Sequence, residues 1–275
     1  MSNSSAARTN LTSKDVRISN NVVLGKGAFR VALLGTYVGG NRNNQEAACK
    51  RFHPQFRQME DEYFQADFQV ADKAIKIAEC WNRMAQADEK ILITRGHIIH
   101  SRSGIPYLVE PLIRDYTKFT SNTGWIAKDG TWHAEAMEAF SHYSYHITAG
   151  RMMVCDLQGR YKFVRCCIPK SRFELTDPAI CSSNRAYGPT DLGIKGMETF
   201  FVNHKCNQFC NADGIKWARP KSPSSWFAMN KGTSMLSSEY DAVLTNRNDY
   251  TSFRLNFNNI MEEEDDEDDD DDSYY

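Results

Sequence analysis

The chain reads as a two-lobed α+β protein, and three observations carry that reading. Strand-like segments separated by glycine turns fill residues 16–52, a single long amphipathic helix follows, and the second half mixes helical and strand periods around a cluster of histidine and cysteine. At 275 residues, with 41% hydrophobic and 25% charged side chains, the chain has the composition of an ordinary globular protein and can bury a substantial core.

Residues 1–15 are rich in Ser, Asn and Thr and are expected to be unstructured. Val22-Val23-Leu24, the turn Gly25-Lys26-Gly27-Ala28 and the stretch from Phe29 to Tyr37 form a strand, turn, strand unit. A third strand over 47–52 carries Lys50. Between 61 and 84 the apolar residues Phe64, Phe68, Ala71, Ile75, Ala78 and Trp81 recur at steps of three and four, which predicts a helix. Strands are expected at 91–94, 97–101 and 107–112. A helix over 134–150 leads into an apolar strand at 152–155, and the aromatic-rich stretch 197–210 reads as a further helix. The first lobe is expected over about 16–112 and the second over about 113–257, with an acidic tail at 258–275.

That tail holds an unbroken acidic run at 262–272, 11 of the 35 acidic residues. Outside it, 24 acids face 33 bases, so a net charge of −2 hides a basic body of +9. A like-charged block repels itself and has nothing apolar to bury, so it is expected to be disordered, serving as a solubilising appendage or as a screen over the basic body. The start, Met1-Ser2-Asn3-Ser4-Ser5, lacks a basic-then-apolar leader, and no run of about 18 apolar residues could span a bilayer. A cytosolic or nuclear protein is expected. In that reducing setting Cys49, Cys80, Cys155, Cys166, Cys167, Cys181, Cys206 and Cys210 read as thiols or metal ligands.

The strongest chemical signal is His204-Lys205-Cys206-Asn207-Gln208-Phe209-Cys210, one imidazole and two thiols in seven residues. Zinc closes structural sites with four Cys or His ligands, so a fourth must come from elsewhere, and His142 is the candidate. Glycines at 25 and 27 would let backbone N–H groups approach phosphate oxygens, although a tight hairpin alone can require glycine. Lys50 lies on a strand about twenty residues later, within reach of a nucleotide's phosphates. Asp156, Gln158 and Asp177 each follow an apolar segment and offer oxygen ligands for Mg²⁺ and a base for a hydroxyl.

Seven motifs stand in one order: Gly27-Ala28-Phe29-Arg30; Lys50; Val109-Glu110-Pro111 with the run from Lys118 to Gly124; Phe140-Ser141-His142; Asp156-Leu157-Gln158-Gly159; Leu175-Thr176-Asp177-Pro178 and Gly188-Pro189-Thr190-Asp191-Leu192-Gly193, closed by the His-Cys-Cys triplet. In this the chain closely resembles the alpha-kinases, atypical protein kinases, over nearly all of 16–257. The resemblance implies a protein-kinase-like fold of two lobes with a structural zinc site in the second. It implies transfer of the γ-phosphoryl of Mg-ATP to Ser or Thr of a protein, more often Thr. Gly25, Gly27, Ala28 and Arg30 would cover the phosphates, Lys50 would contact them, and Glu110 with Leu112 would lie beside adenine. Asp156 would orient or deprotonate the acceptor hydroxyl while Gln158 and Asp177 hold Mg²⁺, or the two aspartates exchange roles. Gly188, Thr190, Asp191 and Gly193 would form a glycine-rich loop beside the site, and His142, His204, Cys206 and Cys210 would hold zinc.

One departure stands out. Asp156 and Asp177 lie 21 positions apart, about twice the separation typical of that family. The excess, 160–174, reads as a hairpin extension that leaves both aspartates in place, since surface insertions add little closure entropy. If it displaced a ligand, the chain would be an inactive zinc-containing scaffold. A zinc-bearing nucleic-acid binder is disfavoured, because the basic residues are scattered and no Lys/Arg-dense helix or aromatic RNA-binding signature occurs. No membrane partner is expected.

Overall fold

Side-chain alternation along residues 30–52 builds the first sheet. In the computed structural model, which describes residues 7–8, 12–27, 30–84, 90–163, 171–210, 214–228 and 235, the strands β1 (Ala7–Arg8), β2 (Asp15–Lys26), β3 (Arg30–Val38) and β4 (Glu46–Phe52) precede helix α1 (Glu60–Arg83). Strands β5 (Lys90–Thr94), β6 (His97–His100), β7 (Pro106–Pro111) and β8 (Thr117–Lys118) follow. The remainder comprises α2 (Trp132–Ile147), β9 (Met152–Cys155), β10 (Gln158–Lys162), β11 (Arg172–Leu175), β12 (Ala179–Ser182) and α3 (Gly193–Asn203).

The first sheet has the antiparallel order β2-β3-β4-β7-β6. One face buries Leu33, Tyr37, Ala47, Cys49 and Val109 in a small core. The opposite face of β4 and β7 presents Lys50 and Glu110, because side chains alternate along each strand. A second sheet, β1-β5-β11-β10-β8, is mixed, with β5 parallel to both β1 and β11. Within the N-terminal stretch expected to be unstructured, Ala7–Arg8 thus pairs with β5, and Ser13 is buried with its hydroxyl donating to Gly39 O at 2.7 Å.

Helix α1 joins the two sheets. Its first turn carries Glu60, Asp61 and Glu62 and its last carries Arg83, each at the end its charge favours. Tyr63 and Phe64 pack with Phe52 and Leu108 of the first sheet, while Ala74, Ile77, Ala78 and Trp81 pack with Ile91, Ile93, Phe173 and Leu175 of the second and with Phe140 and Tyr143 of α2. The apolar stripe read from sequence is therefore divided between two cores.

Two helices are shorter than expected. Helix α2 stops at Ile147 because Ala149 and Gly150 adopt left-handed φ values of 51° and 79°, with Gly150 N donating to Tyr145 O. Helix α3 ends at Asn203, and His204 is already extended (ψ 123°), so the His-Cys-Cys triplet lies in a loop and not on the helix. A straight helix could not bend those three side chains onto one point. Among the described residues no helix is long and apolar enough to cross a membrane. The acidic tail and Ala28 lie outside the described residues.

Candidate active site

Between the sheets runs a cleft of about 470 Å³ lined by Leu24, Gly25, Gly27, Lys50, Leu112 and Asp177, which opens into a deeper space beside Asp67 and Asp156. Neither Gly25 nor Gly27 has positive φ, and a Cβ on Gly25 would meet nothing within 4 Å. The hairpin itself does not require these glycines. What they leave is open space on the wall of the cleft.

Lys50 is the hub. Its Nζ lies 2.6 Å from Glu110 Oε1 and 3.1 Å from Asp177 Oδ1, with its side chain only 12% exposed. Burial alone would lower its pKa, but Asp177 and Glu110 outweigh that and hold it above the ordinary lysine value. Burial pushes Asp177 the other way, and Lys50 with Arg30 outweighs it, so the carboxyl sits below its usual range. The Glu110 carboxylate, expected beside adenine, is committed to Lys50, while Leu112 lines the cleft.

Asp156 and Asp177 both adopt left-handed backbone, with φ of 55° and 53°. That conformation is uncommon for a residue with a Cβ, and it turns each carboxylate out of the end of its apolar segment. Asp156 is 2% exposed and its Oδ1 meets Lys118 Nζ at 2.6 Å. Strands β10 and β11 pair antiparallel from Gly159–Leu175 to Lys162–Arg172, so residues 160–162 and 172–174 of the insertion form paired arms. Their bases stay together: Thr176 N donates to Gln158 O at 3.0 Å, and Gln158 Nε2 donates to Asp177 O at 2.9 Å. Gly159, at φ 148°, is required here, since a Cβ would come within 2.1 Å of Glu174 O.

Three residues that sequence reasoning passed over line the same space. Tyr116 donates its hydroxyl to Gln158 Oε1, which together with the Asp177 carbonyl fixes the orientation of that amide. Burial first and the Asp177 charge second raise the phenol's pKa, so the donor stays protonated. Lys118 lay within a quoted motif but without a role. Asp67 pairs with Arg30 at 2.7 Å, and burial lifts it to about 6. Its signal was available, because it stands between Phe64 and Phe68 on the apolar side of α1. Arg30 also stacks on Phe52 of β4 at 4.4 Å, while its pair with Asp67 ties the glycine turn to the helix.

In the glycine-rich loop the expected residues divide. Thr190 lines the deep space. Gly188 packs against Ala66, since a Cβ there would meet Ala66 Cβ at 2.9 Å. Asp191 faces inward: it accepts from the backbone N–H of Ser182, Tyr187 and Gly193 and from the Ser182 hydroxyl. Burial raises its pKa against those bonds. Asp191 and Gly193 therefore shape the loop and start α3 without facing the cleft.

Away from the cleft, His142, His204, Cys206 and Cys210 bring one ligand atom each to within 4.8 Å of one another. His142 Nε2 faces Ala218 O at 3.0 Å and His204 Nδ1 faces Glu138 Oε1 at 2.7 Å. A carbonyl and a carboxylate only accept, so both nitrogens carry the proton. In the neutral rings the remaining nitrogens, His142 Nδ1 and His204 Nε2, are bare, yet they lie 3.0 Å apart. Burial, with His204 second, pushes His142 down to about 4, and burial pushes the Cys210 thiol up to about 12. Two facing lone pairs and two adjacent sulfurs fit a tetrahedral cation, whose charge would relieve both conflicts.

The alpha-kinase family model matches residues 25–210. The alpha-protein kinase vwkA of Dictyostelium discoideum is 30% identical over 206 residues, covering 69% of this chain and 30% of that protein. Eukaryotic elongation factor 2 kinase of Homo sapiens is 30% identical over 124 residues, 45% of this chain and 15% of the kinase. The chain thus spans less than a third of the length of either relative. Among solved structures, an alpha-kinase from Entamoeba histolytica superposes with a TM-score of 0.58 at 20% identity over 81% of this chain and 85% of that one. The alpha-kinase domain of myosin-II heavy chain kinase A in complex with AMP-PNP gives 0.59 at 20% identity over 76% and 90%. The fold is that of an alpha-kinase domain.

Proposed function

The chain belongs to the alpha-kinase family, and from that premise we propose that it transfers the γ-phosphoryl of Mg-ATP to Ser or Thr of protein substrates, with a preference for Thr. The observation that carries the reading is the convergence of Lys50, Glu110, Asp177, Gln158 and Asp156 on one cleft. Myosin-II heavy chain kinase A binds an ATP analogue in its alpha-kinase domain. In this chain Gly25, Gly27 and Arg30 would cover the phosphates, with Lys50 on their oxygens. Gln158 Oε1 and the Asp177 carboxylate would hold Mg²⁺, which supplies positive charge to the phosphate oxygens.

In this proposal Asp156 sets the direction of the acceptor hydroxyl. Its carboxylate is held in place by Lys118 at 2.6 Å, a positioning role that suits a loose transition state in which the protein has little covalent chemistry to do. Catalysis is then positioning plus charge neutralisation, with Glu110 keeping Lys50 aimed into the cleft. The His142, His204, Cys206 and Cys210 set is proposed to hold zinc as a structural ion, because all four positions are protein ligands and none is left for a reacting water. A cytosolic or nuclear setting remains part of the proposal. The alternative of an inactive scaffold depended on the insertion displacing a ligand; the contact between Gln158 and the Asp177 backbone speaks against it.

The test is transfer of radiolabelled phosphate from ATP to a mixed-protein substrate, comparing wild type with Asp156→Ala. Incorporation on Thr and Ser that disappears in the folded variant supports the proposal. A wild-type chain that binds Mg-ATP but transfers nothing would favour the scaffold.

A further inference from the structure

The β10–β11 hairpin carries its charge on one side. Register sets Arg160 opposite Glu174, Lys162 opposite Arg172, and Arg172 opposite Lys90 of β5. Residues in register share a face. The same face continues to Gln158, opposite Lys118, and so ends at the cleft. The other face, with Ile91, Ile93, Phe173 and Leu175, is buried in the core.

Among the described residues, Arg160, Arg172 and Lys162 gather around one carboxylate, Glu174, while Lys118 pairs with Asp156. Glu174 is 2% exposed; Arg160 donates Nε and Nη2 to its Oε2 at 2.9 and 2.7 Å, and Arg172 donates Nε and Nη2 to its Oε1 at 3.1 and 2.9 Å. Lys162 Nζ lies 4.0 Å away, and Lys90, in register on the same face, donates its Nζ to Asn82 O. Burying Glu174 requires one cation, whereas three stand within 4.0 Å of it. The outer parts of Arg160, Arg172 and Lys162 are 23%, 31% and 42% exposed. Like charges so close repel unless an anion arrives from outside.

The chain itself contains the complementary segment. Residues 262–272 are eleven consecutive acids, while the rest of the chain has an excess of bases. From Met235, the last described residue, to Glu262 there are 27 positions, enough at about 3.3 Å per residue to reach roughly 90 Å. A folded chain of this length has a radius of gyration of only about 19 Å. Tethering also raises the local concentration of the segment to about millimolar.

We propose that residues 262–272 dock in cis on the cationic face formed by Lys90, Arg160, Lys162 and Arg172, alongside Gln158 and Lys118, and so shield the cleft from acidic acceptors. The shielding rests on the phosphotransfer reading; the docking does not, and is read directly by binding. The probe is a fluorescent peptide with the sequence of 262–272. Its partner is the full-length chain with those eleven acids changed to their amides. The peptide is expected to bind that variant at about 50 mM salt and at least about tenfold more weakly at about 300 mM. Adding Lys90→Glu and Lys162→Glu, which leaves the guanidinium bonds to Glu174 intact, is expected to weaken it at least about tenfold again. The unaltered chain, occupied in cis, is expected to bind at least about tenfold more weakly than the amide variant. No binding to the amide variant, or no effect of the two lysine changes, would overturn the surface. Equal binding to the unaltered and amide chains would overturn docking in cis and leave the face to acidic segments of other proteins.

Discussion

The cleft and the His/Cys cluster are both built from a few polar side chains held among apolar neighbours, yet they are arranged for opposite ends. In the cleft, charges are already paired, Lys50 with Glu110 and Asp177 and Lys118 with Asp156, and Asp177 remains half exposed. In the proposed reaction those partners would be exchanged for phosphates and a divalent cation. In the cluster, the His142 and His204 nitrogens that face one another at 3.0 Å in a buried place would both be ligands if the proposed zinc is bound. If the proposed roles hold, the difference teaches that a site for turnover keeps its charges balanced without a ligand, whereas a site for architecture does not.

The contrast can be broken most forcefully at the cluster. Cys210→Ala and Cys206→Ala are expected to yield insoluble or protease-sensitive protein, because the ion would clip α2 to the loop after α3. Structural zinc binds by about 10 to 16 kcal/mol in small peptides, against a whole-domain stability of about 5 to 15 kcal/mol. Metal analysis of wild-type protein should give about one zinc per chain. Soluble, active protein without zinc would refute the assignment.

At the cleft the same kind of substitution should spare the fold. Lys50→Ala and Asp177→Ala are expected to lower kcat/KM at least about a hundredfold while the melting temperature stays close to that of wild type. Near-normal turnover in either would show that these charges do not face the transition state. A smaller loss is expected for Gln158→Ala, since a neutral amide holds Mg²⁺ less strongly than a carboxylate. For Tyr116→Phe the account predicts a still smaller effect, a few-fold rise in the Mg²⁺ concentration needed for half-maximal nucleotide binding, because the Gln158 amide loses the donor that orients it. An unchanged Mg²⁺ titration would leave Tyr116 without that role.

The smallest expected effect concerns pH. Asp67 has a folded value of about 6, above its ordinary 3.8, with burial as the leading cause. A carboxyl raised in the folded state binds its proton more tightly there, so ionising it from about pH 4 to about pH 6 removes stability. Urea unfolding at pH 4 and pH 7 should therefore show a smaller decline for Asp67→Asn than for wild type. Equal declines would mean that Arg30 fully compensates the buried charge.

How legible these two sites were in the sequence follows from how local their geometry is. That Lys50, Asp156, Gln158 and Asp177 come together could be anticipated because each stands on or just after an apolar run whose period is visible. The paired arms at 160–162 and 172–174 were anticipated on another ground, that an insertion at the surface adds little closure entropy. The inward turn of Asp191 was not, since it depends on Ser182 and Tyr187 closing around it. Nor was the parallel pairing of β5 with β11, which joins residues about eighty positions apart. Helix α3 was read too long because Phe209 and Cys210 continue its apolar pattern past the point where His204 turns the chain. Asp67 shows the reverse case, a charge within an apolar stripe that was visible and passed over.

The central claim is that the cleft performs phosphoryl transfer with Asp177 and Lys50 as charges that face the phosphates. Its most direct measurement is incorporation of radiolabelled γ-phosphate into protein by wild type and by Asp177→Ala, at matched concentrations of protein shown by circular dichroism to be folded. The account predicts transfer by wild type and at least about a hundredfold less by the folded variant; equal transfer by the two would contradict it.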